Sequence, residues 1–308
     1  MLSVFQKTIL KKVEFKGVGL HSGLVTEIKI IPADENYGIV FKRTDLNANN
    51  IINANFKNVC STTLCTTLQN KFNSTVSTVE HLLAALYITG IDNALIEINN
   101  SEVPIMDGSS KEFVETINKV GVKKSNSKRK YLKIKKKFTF EENEKKISIE
   151  PNANSLKVDF ELVYANSVIG TQSNQVNFND PNLSNVYNSR TFCLFEDIEK
   201  IKKSGLAKGG SLENAVVVKN NEILNSEGLR NNKEFVNHKI LDLAGDFLLS
   251  GHRILGSVKC TQGGHGLSNL FLRAIFKDSS NFAIIEQDES TSANNYFKTP
   301  VNKLAVNA

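Results

Sequence analysis

The feature that most constrains this chain is an interruption in its patterning. Residues 121–130, GVKKSNSKRK, are charged and carry Ser and Asn. Hydrophobic periodicity stops there and restarts beyond it, as at a boundary between folding units. Ahead of the break, alternating apolar residues predict strands over 13–31, 38–43, parts of 51–72 and 94–98. An apolar helix is predicted over 77–90, with Ser77 or Thr78 as its N-cap, and a second helix over 111–120. After the break come predicted strands near 131–140, 145–150 and 156–163, then a loop-rich stretch. A helix over 195–204, a strand over 215–218, a long amphipathic helix over 234–250, a strand over 253–260 and a helix over 267–276 follow. Strands followed by helices, twice over, predict an α+β chain. The expected organisation is a first α+β domain over 1–122, a linker over 123–130 and a second α+β domain over 131–308, with 292–308 a loose tail. A chain of 308 residues that is 40% hydrophobic can supply a core for each.

Composition excludes several function classes. No run approaches the roughly 20 apolar residues of a membrane-spanning helix. The start, MLSVFQKTIL, lacks the charged region, apolar run and cleavage site of a secretory signal. A cytoplasmic protein without stable membrane insertion is expected. The four cysteines, Cys60, Cys65, Cys193 and Cys260, form no C-x-x-C pair, which argues against a disulfide framework or a thiolate metal site. The net charge of +6 is spread widely. The one dense basic run, 123–137, has no interleaved aromatic residues and no nucleic-acid motif, so it reads as a solvated linker and strand and no nucleic-acid partner is expected.

Five histidines carry the candidate chemistry, and their settings differ. In Phe235-Val236-Asn237-His238-Lys239-Ile240-Leu241-Asp242-Leu243-Ala244-Gly245-Asp246, residues 238, 242 and 246 stand one helical turn apart and share a face. Imidazole and carboxylate one turn apart suit a divalent cation such as zinc. The same spacing also serves a solvent-exposed hydrogen-bonded pair. Glu80-His81 opens the first apolar helix. If His81 completes the set, the site is His/His/Asp with an open position, the pattern of a catalytic zinc, and Glu80 is placed as general base. Glu80 equally suits a helix N-terminus on macrodipole grounds alone. His265, in Gly263-Gly264-His265-Gly266, is either a general acid held by Asp246 or an incidental residue of a glycine-rich turn.

Taken together, ordered motifs carry a resemblance. They are Gly17-Val18-Gly19-Leu20-His21-Ser22-Gly23, Ser77-Thr78-Val79-Glu80-His81-Leu82, Glu102-Val103-Pro104-Ile105-Met106-Asp107-Gly108-Ser109, Ser189-Arg190-Thr191-Phe192, Gly209-Gly210-Ser211, 235–246, and the Gly264-His265 loop with its helix. The chain resembles the bacterial UDP-3-O-acyl-N-acetylglucosamine deacetylases over about residues 6–276. The resemblance implies two similar domains, each a sheet packed against helices in a two-layer sandwich, with the active site at their interface. It implies a Zn2+ cofactor, with Fe2+ the alternative in the cell, held by His81, His238 and Asp242. It also implies Glu80 as base, His265 as acid and oxyanion stabiliser, Asp246 as its partner and Thr191 at the oxyanion. Lys239, Phe192 and His21 match substrate-facing positions, with Lys239 toward phosphate. The family's acyl-binding insert maps to 198–218, where Ile198, Leu206, Ala207, Leu212 and Val217 are apolar candidates for either lining or ordinary core. The implied partner is a small acylated UDP-sugar, deacetylated in the committed step of lipid A biosynthesis; a monomer is expected.

The loop Thr261-Gln262-Gly263-Gly264-His265-Gly266-Leu267-Ser268-Asn269 departs from the family pattern, which more often has Ser before the Gly-His pair and Asn at the place of Ser268. Two other readings compete. One is a different zinc amidase or peptidase, which an apolar insert beside Lys239 disfavours. The other is an inactive sugar-nucleotide binder, which the joint presence of Glu80, His265 and all three candidate ligands disfavours.

Overall fold

The computed structural model describes residues 2–287, so the tail expected over 292–308 lies outside the described residues. Two sheets dominate. In the first half, strands run in the order Val13–Val18, Val25–Pro32, Ala94–Ile98, Ile39–Arg43, Ile51–Asn53, with one parallel pair, Ile39–Arg43 on Ala94–Ile98. Alternation is plain in Val25–Pro32, where Thr26, Ile28 and Ile30 point inward and Val25, Glu27 and Lys29 do not. The second-half sheet is built on Arg253–Thr261. Its first three residues pair parallel with Lys130–Ile134. The rest lies between Lys145–Pro151, antiparallel, and Leu156–Val163, parallel. Gly256 is where the strand changes partner, and a Cβ there would lie 2.6 Å from Cδ1 of Ile149. The mixed architecture is the expected α+β class, with six helices among the described residues: α1 (Glu80–Thr89), α2 (Lys111–Val120), α3 (Ser184–Tyr187), α4 (Phe195–Lys203), α5 (Glu234–Leu248) and α6 (His265–Phe276).

Helices α1 and α5 pack against each other and carry most of the candidate chemistry. Residues 80–87 of α1 are all buried, and every residue of α5 except Lys239 is buried. A helix covered all round needs apolar residues all round. Leu82, Leu83 and Leu86 meet that need on α1, each worth about 1.5–3 kcal/mol of burial. The helix expected over 234–250 has the amphipathic pattern read from its sequence, but both of its faces are buried. Its polar face is turned toward α1 and the glycine-rich loop rather than toward water. Gly245 permits the approach: a Cβ there would come 2.1 Å from the carbonyl oxygen of Glu80.

Three other local expectations change. Ser77 and Thr78 do not cap α1. The N-cap is Val79, without a side-chain bond, and the Thr78 hydroxyl donates instead to Oε1 of Glu102 at 2.9 Å. Residues Val122–Lys128, which take in most of the stretch 123–130 read as linker, form a strand antiparallel to Phe5–Ile9. Apart from Val122, which packs against the core, its side chains are polar and none is buried, so the ladder does most of the holding. The loop-rich stretch after residue 163 contains a further strand, Thr171–Asn177, which pairs antiparallel with Leu156–Val163.

Candidate active site

Three buried side chains converge from two helices. Nε2 of His81, at the start of α1, is 3.5 Å from Oδ1 of Asp242, and Nε2 of His238 is 3.4 Å from the same oxygen. The candidate ligand atoms of His81, His238 and Asp242 all lie within 4.8 Å of one another. The donor set fits a divalent cation by an independent observation. Oδ1 of Asp242 is buried without a hydrogen-bond partner, while Oδ2 accepts from the Lys239 ammonium at 2.7 Å. One carboxylate oxygen is thus satisfied by protein and the other is turned, bare, toward two imidazole nitrogens. An uncompensated buried oxygen is costly unless a cation or donor meets it.

The protonation states agree with that fit. Nδ1 of His238 lies 3.1 Å from the carbonyl oxygen of Ser189. A carbonyl only accepts, so Nδ1 carries the proton and Nε2 keeps its lone pair for a ligand. Burial pushes His238 down to about 3, so the ring is neutral. Burial would raise the Asp242 carboxyl, but neighbouring positive charge, the Lys239 ammonium at 2.7 Å among it, holds it well below its ordinary range.

The Ser189 carbonyl is itself fixed by a buried ion pair. Arg190, the largest fully buried side chain, donates from Nε to Oε1 of Glu234 at 2.8 Å and from Nη2 to Oε2 at 3.2 Å. Its main-chain N–H donates to the same carboxylate at 3.1 Å. Glu234 sits one turn before His238 on α5, so the segment 189–191 is tied to the helix that bears the ligand.

Beside the cluster, Nδ1 of His265 is 3.0 Å from Oδ2 of Asp246, and its Nε2 is 3.6 Å from Oε1 of Glu80 and 4.0 Å from Oδ2 of Asp242. His265 is the first residue of α6, where the helix dipole disfavours a cation. Burial also disfavours it. The Asp246 and Glu80 carboxylates outweigh both, and the imidazole is raised to about 10. Burial raises Glu80 from its ordinary value, partly offset by His265 and His81.

An apolar cavity of about 390 Å³ lies near this polar cluster, lined by Thr191, Phe192, His21, Ile198, Leu212 and Val217, with Ala207 also on its wall. Leu206 is not on that wall. One side is α4, an exposed helix none of whose residues is buried. The insert closes on the glycine turn of the first half, where Gly209 N–H donates to the Leu20 carbonyl at 3.0 Å. His21 is buried, with Nε2 unpartnered. Every candidate residue read from the sequence except Leu206 therefore falls at the cluster or on the cavity wall, and Lys239 joins the cluster through its ammonium, which donates to Asp242 and stands 5.8 Å from the centre of the Phe192 ring.

Residues 6–277 match the family model described as UDP-3-O-acyl N-acetylglycosamine deacetylase. The chain belongs to that family. Among curated relatives, the UDP-3-O-acyl-N-acetylglucosamine deacetylase of Geobacter sp. (strain M21) is 43% identical over 284 residues, covering 92% of each chain. That of Geotalea uraniireducens (strain Rf4) is 42% identical with the same coverage. That of Shewanella oneidensis is 39% identical over 300 residues, 96% of this chain and 98% of the relative. Across this deacetylase family span, the residues that sequence reading left without a role are structural partners. Glu102 accepts from the main-chain N–H groups of His21 at 2.8 Å and Ser22 at 2.7 Å as well as from Thr78. Its place in the Glu102–Ser109 motif was the available signal. Glu234 offered none, because its partner Arg190 is 44 residues away.

Proposed function

We propose that this chain hydrolyses the N-acetyl group of UDP-3-O-acyl-N-acetylglucosamine, releasing acetate and the free amine, as the committed step of lipid A biosynthesis. The observation that carries the proposal is the bare Asp242 oxygen facing His81 and His238, beside the His265–Asp246 pair and an apolar cavity, in a chain of this family. His81, His238 and Asp242 would hold Zn2+, and Fe2+ suits the same ligands. When bound, such a cation supplies Lewis acidity to a carbonyl oxygen and acidifies water.

The chain's own residues supply the rest. Glu80, whose carboxyl burial raises from its ordinary value, takes the proton of the attacking water at its Oε1. The Thr191 hydroxyl donates to the developing oxyanion. His265, with Nδ1–H committed to Asp246, delivers a proton from Nε2 to the departing amine. The attacking oxygen first forms the new C–O bond while the carbonyl oxygen takes up the negative charge; that charge then re-forms the carbonyl as the C–N bond breaks, and the leaving amine takes up the proton from His265. The cavity takes the acyl chain along Ile198, Leu212 and Val217, with Phe192 and His21 nearer the sugar. Lys239 retains two N–H donors after its bond to Asp242, and these are available to phosphate. The reading takes the enzyme to be a cytoplasmic monomer organised as domains 1–122 and 131–308. None of the described helices is long and apolar enough to cross a membrane.

The deciding experiment is acetate release from UDP-3-O-acyl-N-acetylglucosamine before and after chelation, with zinc restored. Loss with chelator and recovery with zinc is the expected result. Folded, zinc-loaded protein that leaves this substrate untouched would overturn the assignment.

A further inference from the structure

Thr66 precedes the strand Thr67–Gln69 and is 1% exposed, and no step above uses it. All three of its polar groups are nonetheless committed at the site. Its main-chain N–H donates to Oε2 of Glu80 at 3.0 Å. Its hydroxyl donates to Oδ1 of Asp246 at 2.7 Å. Its carbonyl accepts from the N–H of Val79, the residue before Glu80, at 3.4 Å. Glu80 and Asp246 stand on different helices, and His265 faces the other oxygen of each, at 3.6 and 3.0 Å. Glu80, His265, Asp246 and Thr66 therefore close a ring. A carboxylate held at both oxygens by different partners cannot rotate without breaking one contact.

We propose that Thr66 is a positioning residue for the reaction: its hydroxyl fixes the Asp246 carboxylate that orients His265, while its amide fixes Glu80, so that one loop residue sets the base and the acid relative to each other. The inference rests on the roles given above to Glu80, Asp246 and His265. The amide contact survives any substitution other than proline, so the hydroxyl is the half that mutation can test. Threonine to valine keeps volume and branching and removes only that donor.

The test compares Thr66→Val, Thr66→Ser, Asp246→Asn and the double variant Thr66→Val/Asp246→Asn in the zinc-loaded full chain, measuring kcat, KM and bound metal. If Thr66 acts through Asp246, Thr66→Val lowers kcat about 10- to 100-fold, the usual scale for losing an outer partner of a site residue. KM and metal content stay unchanged, and Thr66→Ser restores the rate. The double variant is then no slower than Asp246→Asn alone, since residues acting as one unit are not additive. Wild-type kcat in Thr66→Val beside an impaired Asp246→Asn overturns the proposal alone, as does an additive loss in the double variant. Wild-type kcat in Asp246→Asn overturns the underlying reading as well. Should Thr66→Val fail to fold, Thr66→Ala takes its place, and equal rates for the alanine and serine variants overturn the proposal.

Discussion

Nδ1 of His265 lies 3.0 Å from Oδ2 of Asp246, and this contact governs the charge of the imidazole. Burial pulls His265 down, yet Asp246 and Glu80 together raise it to about 10. A cation at the neighbouring ligands would move it back toward neutrality. In the proposed role of general acid, His265 would work only while protonated, so the rate would fall as pH rises through its pKa. Asp246→Asn removes a negative charge and shifts that pKa down. The basic limb of the kcat/KM profile is therefore expected at lower pH in the variant. A limb that stays in place would remove Asp246 from the proton-transfer pair.

Glu80 is 3% exposed and contacts no candidate cation ligand through a hydrogen bond given by the structure, which separates its chemistry from metal binding. Glu80→Gln preserves its shape and can still accept from Thr66. Turnover is expected to fall roughly 100- to 10,000-fold, the range of a lost general base. Metal stoichiometry stays that of the parent. Turnover and metal content measured on the same preparation check this, and a near-parental rate would exclude Glu80 as base.

His81 and His238 come from α1 and α5, so a cation bound between them ties the two helices. Binding to the folded state alone stabilises by about 2.7 kcal/mol at a free metal concentration 100-fold over Kd. Calorimetry should show a higher Tm with zinc than after chelation, and His238→Ala should abolish the difference. Equal Tm values with and without metal in the parent protein would argue against the site.

Leu212 is 46% exposed and lies on the cavity wall, so truncating it threatens the fold little. Leu212→Ala removes apolar contact worth about 1 kcal/mol to a bound chain, allowing for partial exposure, or roughly fivefold in KM. The effect is expected with a long 3-O-acyl group and absent with a short one. Steady-state kinetics on the two substrates distinguish the cases, and equal changes in both would take Leu212 off the acyl path.

The legible part of this protein was the part written in local spacing. His238, Asp242 and Asp246 share a helical face by arithmetic, and the apolar residues of 80–89 mark a buried helix. The face toward which α5 turns those polar groups depends on α1, over 140 residues earlier, so its burial on every side could not be read from α5 alone. Thr78 looked like a cap because Ser and Thr usually cap. Its hydroxyl went to Glu102, a partner that exists only after the chain has folded. Thr171–Asn177, TQSNQVN, buries only Val176 and so carries no apolar alternation, and pairing with Leu156–Val163 makes it a strand. Thr66 belongs with these: its neighbours are fixed by a loop crossing between two helices, which no periodicity encodes.

The close approach at Gly245 separates two kinds of evolutionary freedom. There α5 meets α1 main chain to main chain, beside Glu80 and one residue before Asp246. The spacing of the reactive groups is consequently set by backbone contact rather than by the bulk of intervening side chains. If the apolar wall takes the acyl tail as proposed, substitutions along it would alter which tail is admitted while leaving the reacting centre in register. Selectivity can drift in such a lineage while the chemistry stays constant.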